Sequence, residues 1–267
     1  MSAPRPDFAD LVATMARLRA PGGCPWDRAQ TPSSLRPYLL EEAYETLDAI
    51  DAGDPERLKE ELGDLLLQVV FHAQMAAEAG AFTIDDVVAG LAEKLIRRHP
   101  HVFGTAEVAD SATQTVAWEE QKAAERRAKA RAEGRSESAL DGVGVALPAL
   151  TRAEKLQKRA ARVGFDWPAP PPILDKIEEE IAELKREIAA DAAPDRIEDE
   201  LGDLLFAVVN LARQLAVDPE QALRRASRKF ERRFRKVETA LAAAGKAPGA
   251  ASLEEMEAEW QRAKAEE

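Results

Sequence analysis

Pairs of acidic residues at helical spacing occur in four short blocks of the chain. The blocks read EEAYE at 41–45, EELGD at 60–64, EEIAE at 179–183 and DELGD at 199–203. Within each block two acids lie three residues apart, which places both on one face of a helix. The pairs are Glu42 with Glu45, Glu61 with Asp64, Glu180 with Glu183, and Glu200 with Asp203.

Two such helices packed antiparallel would direct four carboxylates towards one point. Because like charges repel, this convergence requires a compensating cation. Hard oxygen ligands favour a hard divalent metal, so we expect Mg²⁺, with Mn²⁺ as a substitute. A single acidic pair of this kind is typical of a solvated helix face. Here, however, the acids lie on both helices of a predicted hairpin, and the whole arrangement recurs.

The elements that must position these acids are helices. Apolar residues recur at intervals of three and four along almost the whole chain, and nothing convincing alternates with period two. This pattern predicts an all-α fold. The acids fall on predicted helices at about 33–51, 55–80, 173–190 and 194–215, and the short connections between them indicate antiparallel pairs.

The two halves of the chain repeat more than their acids. LGDLLLQVVFHAQ at 62–74 aligns with LGDLLFAVVNLAR at 201–213, and KLIRR at 94–98 aligns with KFERR at 229–233. Helical periodicity is lost at GRSESALDGVGVA, which begins at Gly134 and is rich in Gly and Ser. We therefore predict an N-terminal domain at 1–133, a linker at 134–147 and a C-terminal domain at 148–267.

Basic and aromatic residues accompany the acids in both halves. Lys229 and Arg233 are four residues apart, as are Trp260 and Lys264, and both pairs have counterparts in the first half. Carboxylates with separated basic pairs suit a phosphate-rich ligand bound through a metal. Trp260 could stack on a base or ribose, although a tryptophan on a helix is more often a core anchor, so both interpretations stay open.

Composition excludes several other classes. The net charge of −12, with no large basic face, argues against binding to a nucleic-acid backbone. We find no apolar run long enough to span a membrane and no apolar signal-peptide core at the N-terminus. Cys24 is the single cysteine, so no intramolecular disulfide can form. We expect a soluble, cytoplasmic protein.

With these motifs in view, the sequence resembles the MazG family of nucleoside triphosphate pyrophosphohydrolases. The resemblance covers nearly the full chain and includes GGCPWD at 22–27, the duplicated acidic blocks, and RRHPHVFG at 97–104. It implies Mg²⁺-dependent cleavage of nucleoside triphosphates, with broad specificity, to a monophosphate and pyrophosphate. It also implies tandem four-helix-bundle domains that assemble as a homodimer.

The C-terminal half matches the motif of the family in full. By resemblance the metal ligands are Glu180, Glu183, Glu200 and Asp203. The residues expected to contact substrate are Lys176, Glu179, Arg196, Asp199, Asp203, Lys229, Arg233, Trp260 and Lys264. Glu179 is the candidate general base, and Lys176 is expected near the reacting phosphorus.

The N-terminal half departs from this motif at one position. Tyr38 stands where the C-terminal half has Lys176. A second metal set is nevertheless present, and it comprises Glu42, Glu45, Glu61 and Asp64. Resemblance to the two-domain members of the family implies that the C-terminal half is the catalyst.

Three alternatives remain at the level of sequence. The first is a narrower all-α pyrophosphohydrolase acting on dUTP, dCTP or phosphoribosyl-ATP, since spacing does not identify the base pocket. The second is a non-catalytic helical dimer that binds nucleotide. The third is a purely structural bundle, which predicts no change in thermal stability when metal is added.

Overall fold

A computed structural model describes residues 5–106 and 110–267. Every regular element in these residues is a helix, so the predicted all-α class is confirmed for them. Packing divides the chain into two compact units, Met1–Gln121 and Lys122–Glu267. The predicted linker at 134–147 lies after this division and stays a prediction. No helix in the described residues is long and apolar enough to cross a membrane.

Within residues 5–106 of the first unit the structure describes six helices, and a seventh begins at Ser111 and continues across the division. Their bounds are α1 Phe8–Arg19, α2 Pro25–Ala29, α3 Arg36–Ala52, α4 Pro55–Glu78, α5 Ile84–Arg98, α6 Pro100–Phe103 and α7 Ser111–Ala132.

The second unit contains five further α-helices and one 3₁₀ turn. Their bounds are α8 Ala149–Ala161, α9 Pro171–Ala189, α10 Pro194–Gln214, α11 Pro219–Ala243, the 3₁₀ turn Pro248–Ala250 and α12 Leu253–Ala265.

Local capping chemistry explains where several helices start. The Asp54 carboxylate accepts the backbone N–H groups of Glu56 and Arg57, and Pro55 occupies the first turn of α4. Thr83 at the start of α5 forms a capping box with Asp86. Gly53 adopts a φ of 66°, the left-handed conformation that lets the chain leave α3 and enter α4 within two residues.

Each unit has its own apolar core. In the first unit α1 packs on α4 around Met15, Val70 and Phe71, and Leu35 joins them just before α3. In the second unit α9, α10 and α11 bury Ile173, Val209 and Val237 to about 1% exposure. The acid-bearing helices α3 and α4 pack against each other, and so do α9 and α10. These two packed pairs position the carboxylates.

Candidate metal and phosphate site

Three of the predicted metal ligands in the second unit converge. Glu180 lies on α9, while Glu200 and Asp203 lie on α10. One carboxylate oxygen from each residue falls in a group whose members are all within 4.8 Å of one another. Glu180 is only 5% exposed, so its charge is largely removed from water. Three convergent carboxylates, one of them buried, form a donor set that suits a divalent cation.

Glu183, the fourth predicted ligand, lies outside this group. Its carboxylate accepts a hydrogen bond of 2.8 Å from Arg186, one turn further along α9. Glu183 is nevertheless close enough to act on the site, because partial burial and then the charges of Glu183 and Glu180 raise the pKa of Glu200 above its usual value. The acids therefore repel one another where no metal is present.

Lys176 places a positive charge against this cluster. Its Nζ lies 2.7 Å from Glu180 Oε1 and 2.9 Å from Glu179 Oε1, one turn along α9. The hydrogen bonds to Glu180 and then to Glu179 raise the pKa of Lys176 well above its usual range. The ammonium therefore partly offsets the acidic charge.

The first unit contains a similar group of three. Glu42 and Glu45 on α3 and Glu61 on α4 contribute oxygens that are all within 4.8 Å of one another. Asp64 lies outside the group, but its charge is the largest contribution after burial to the raised pKa of Glu42. Arg57 Nε lies 3.2 Å from Glu61 Oε1.

The remaining predicted residues occupy α10, α11 and α12 of the second unit. Arg196 pairs with Glu187 on α9 at 2.7 Å. The Arg233 guanidinium lies 5.6 Å above the Trp260 ring, whose other neighbour, Phe230, is 5.2 Å away between ring centroids. Trp260 is therefore packed on α11 and still partly exposed. Asp199, Lys229 and Lys264 are exposed, and so is Arg196 despite its pair with Glu187.

Sequence reasoning missed two residues beside Arg233. The Glu267 carboxylate accepts hydrogen bonds from both Arg232 and Arg233, and we had assigned neither Glu267 nor Arg232 to the site. The signal was present in the repeat, because consecutive arginines occur at 97–98 and again at 232–233. Residue spacing on α11, however, does not reveal a contact with Glu267, which follows the C-terminal end of α12.

Comparison with known proteins agrees with this architecture. The model of the MazG nucleotide pyrophosphohydrolase domain matches residues 30–103 and 170–238, one segment in each half. The two segments contain the acids of both clusters and the arginines of α11.

Two curated relatives align with this chain over nearly their whole length, and a third over about half of its length. The nucleoside triphosphate pyrophosphohydrolase/pyrophosphatase MazG of Thermotoga maritima is 49% identical over 258 residues, which cover 96% of this chain and 95% of that protein. The nucleoside triphosphate pyrophosphohydrolase of Escherichia coli K12 is 50% identical over 261 residues, 96% of this chain and 97% of that one. The uncharacterized protein YabN of Bacillus subtilis is 44% identical, and the matched region is 52% of its length.

The fold and the paired acid clusters define an all-α protein with two units of the same kind. With a domain match in each half and near-complete alignment at about half identity, the chain belongs to the MazG nucleotide pyrophosphohydrolase family. The resemblance inferred from the motifs is thereby confirmed.

Proposed function

We propose that this protein hydrolyses nucleoside triphosphates to a nucleoside monophosphate and pyrophosphate, using a divalent cation held in the second unit. The observation that carries the proposal is the convergence of Glu180, Glu200 and Asp203 within 4.8 Å beside Lys176. The activity for which the relatives from Thermotoga maritima and Escherichia coli are named agrees with it. Mg²⁺ is the proposed cation, with Mn²⁺ as a substitute.

The donor set fits such a cation. Three carboxylates from two packed helices offer only hard oxygen ligands, and partial burial and mutual repulsion raise the pKa of Glu200 when no cation offsets them. Glu183 completes the proposed ligand set after release from its exposed pair with Arg186. When bound, the cation neutralises phosphate oxygens and favours ionisation of the attacking water.

The protein side chains then have distinct tasks. Glu179 precedes Glu180 on α9 and is exposed, so we propose that it accepts the proton of the attacking water. Lys176, already between Glu179 and Glu180, stabilises charge on the reacting phosphate. The outer phosphates and the nucleoside are assigned to the rest of the predicted set, which comprises Arg196, Asp199, Lys229, Arg233, Trp260 and Lys264.

We place turnover in the second half and leave the first half without it. Both halves have an acid trio, but Tyr38 provides no cation where Lys176 does. The acids of the first half, Glu42, Glu45, Glu61 and Asp64, are proposed to bind a cation only. Broad specificity for ribo- and deoxyribonucleotides, and hence control of the cytoplasmic nucleotide pool, is part of the same proposal.

A homodimer is proposed from the exposed apolar surface of α10. Leu201, Leu205 and Phe206 are each 45–50% exposed, which is unusual for three large apolar side chains near one site. Between them, a Cβ added to Gly202 would meet none of the described atoms within 4 Å outside its own helix turn. The open space around this glycine leaves room for a second subunit and supports the assembly of four-helix bundles from two chains.

The experiment that tests this function is product analysis with matched double variants of the full chain. Wild type is incubated with each common NTP and dNTP and Mg²⁺, and both pyrophosphate and monophosphate are measured. Replacing Glu183 and Glu200 with Gln should lower kcat by at least about 10³, because ligands of the cation are lost. Replacing Glu45 and Glu61 with Gln, the matched control, should leave kcat within about twofold.

Different results separate the alternatives. Nucleotide binding without any Mg²⁺-dependent product would refute hydrolysis and favour the non-catalytic dimer. Turnover of one substrate alone, such as dUTP, would refute broad specificity. Loss of turnover in the Glu45/Glu61 variant, with the other variant active, would reverse the assignment of the catalytic half.

A further inference from the structure

The carboxylate of Glu267, two residues beyond the end of α12, bridges Arg232 and Arg233, which are neighbours on α11. Glu267 Oε2 lies 3.0 Å from Arg233 Nε and 2.7 Å from its Nη2, while Oε1 lies 3.0 Å from Arg232 Nε and 2.6 Å from its Nη2. Each guanidinium therefore presents its Nε–Nη2 edge to one oxygen of the same group. Hydrogen bonds from Arg233 and then Arg232 lower the pKa of Glu267 to about 2.

This contact differs from an ordinary surface ion pair. The Arg233 side chain is only 14% exposed and Glu267 only 21%. The Arg233 guanidinium is also fixed by the Trp260 ring beneath it. Arg232 is more open, with its side chain 57% exposed. Two donor edges on one partly buried anion are the arrangement with which arginines bind phosphate as well as carboxylate.

The same donor edge is needed by the proposed substrate. Arg233 is assigned to an outer phosphate, yet its Nε and Nη2 are already engaged by Glu267 and one face of the guanidinium lies on Trp260. A phosphate group could bind in the same fork only after the carboxylate leaves. The position of the Glu267 oxygens thus marks where two oxygens of an anion fit between the arginines.

We propose that Arg232 and Arg233 together form a subsite for the outer phosphates of the substrate, and that Glu267 fills this subsite in the ligand-free protein. The inference rests on the proposed function, because it takes a polyphosphate as the ligand. It adds Arg232 as a binding residue and Glu267 as an internal competitor. Substrate binding then requires the Glu267 carboxylate to be displaced.

Neighbouring charges provide controls for this idea. Glu266, the preceding residue, pairs with Lys236 at 2.9 Å. The Glu266 side chain is 65% exposed and the Lys236 side chain 41% exposed. Glu266→Gln therefore removes the same charge one residue away without opening the fork. Arg235 is exposed on α11 and serves in the same way as a control for the loss of Arg232.

The test measures binding of inorganic tripolyphosphate with Mg²⁺ to the full chain by titration calorimetry, so that no reaction is required. Glu267→Gln should tighten binding about three- to tenfold, since a competing charge-assisted contact is removed. Glu266→Gln should change it by less than about twofold. Circular dichroism of each variant verifies that the protein is folded.

A second pair of variants tests Arg232 directly. In the Glu267→Gln background, Arg232→Gln should weaken tripolyphosphate binding about tenfold, and Arg235→Gln should leave it within about twofold. If Glu267→Gln binds no tighter than Glu266→Gln, or if it binds more weakly because Glu267 orients Arg233, the competitor role is refuted. If Arg232→Gln matches Arg235→Gln, the two-arginine subsite is refuted.

These outcomes are independent of the proposed reaction. Pyrophosphate release by the wild type, measured separately, decides whether the protein is a hydrolase. If the protein is a hydrolase but Glu267→Gln does not change its affinity for tripolyphosphate, only this inference is overturned. A protein with the expected binding changes but no product would overturn the proposed reaction and leave the anion subsite in place.

Discussion

The acid clusters of the two halves have nearly the same carboxylate ligands but differ in the positively charged side chains beside them. In the second half, Lys176 contacts Glu180, and Arg196 reaches across to Glu187 on the neighbouring helix. In the first half, the aligned Tyr38 has no ammonium group, and its ring packs edge-on against the Trp26 ring with 6.1 Å between the ring centroids.

Arg57 and Arg196 hold equivalent positions in the repeat, each four residues before the first acid of its inner pair, Glu61 or Glu200, but their contacts differ. In the first half, Arg57 contacts the cluster itself through Glu61, whereas Arg196 in the second half contacts Glu187, which lies outside the trio. Each trio therefore contacts one basic side chain, Arg57 in the first half and Lys176 in the second, but only Lys176 occupies the position that the resemblance assigns to the reacting phosphorus. We therefore attribute the proposed reaction to the second half.

The largest expected effect comes from removing that charge. Lys176→Met should lower kcat by roughly 10²–10³, because a donor that stabilises the developing charge on phosphate is lost. Mn²⁺ binding measured by electron paramagnetic resonance in the absence of nucleotide should not weaken, since the ammonium competes with the metal for Glu180. A variant with normal kcat would remove the main distinction between the halves.

An intermediate effect concerns the loops that precede the clusters. In the second half, Arg213 donates to Asp166 and to Asn210, and Gln214 donates to the Trp167 carbonyl at 2.8 Å, so the loop before α9 is attached to the end of α10. In the first half the corresponding loop is held by Arg19, which donates to the Asp27 carbonyl and pairs with Glu78.

Asp166→Asn should therefore destabilise the second-half loop by about 1–3 kcal/mol, because the buried Arg213 loses a charged partner. Hydrogen exchange of residues 164–170 in the full chain measures this loss. The control is Glu238→Gln, at an exposed position on α11. Exchange as slow as in the wild type would show that the ion pair does not hold the loop.

The pH dependence of this loss has a definite sign. Arg213 holds the pKa of Asp166 below its usual value of 3.8, so the pair stabilises the folded form above pH 3.8. The contribution is lost as the pH falls through the lowered pKa of the folded protein, where Asp166 becomes protonated. The difference between wild type and Asp166→Asn should consequently be constant near neutrality and shrink below pH 3.8.

The smallest effect comes from giving the first half the missing charge. Tyr38→Lys places an ammonium one helical turn before Glu42, in the same relation as Lys176 and Glu180. A pair of this type contributes about 0.2–0.5 kcal/mol, so Mn²⁺ binding to the first half should weaken about twofold. The measurement is made in the Glu183/Glu200 double variant, so that only the first cluster binds. Tighter Mn²⁺ binding would contradict the proposal that an ammonium at this position competes with the metal for the carboxylate.

The sequence predicted the helices well because its signals are local. Capping at Asp54 and Thr83, proline at helix starts and the spacing of the acids depend on neighbours within a few residues, and the structure has all of them. The short helix α2, Pro25–Ala29, lies among Gly and Pro residues, which by themselves predict only a break, so no local signal reveals it. A glycine inside a helix, such as Gly202, is compatible with close approach of a neighbouring helix, but among the described atoms the space beside it is open.

The site was predictable as a list of residues but not as a geometry. The sequence grouped Glu183 with the other ligands, whereas its side chain contacts Arg186, a rotamer choice that spacing does not determine. The contact of Glu267 with Arg232 joins residues 35 positions apart, and only the packing of α12 on α11 brings them together. The sequence therefore predicted which acids converge from two packed helices, but not the rotamer of Glu183 or the contact that α12 brings to α11.

The most direct measurement of the central claim is the location of a divalent cation. Crystals of the full chain soaked in Mn²⁺ and a non-hydrolysable nucleoside triphosphate should show anomalous density among Glu180, Glu200 and Asp203, with Lys176 turned from Glu180 towards phosphate. A nucleotide bound elsewhere, with no anomalous density at these carboxylates and the Lys176–Glu180 pair intact, would contradict the account.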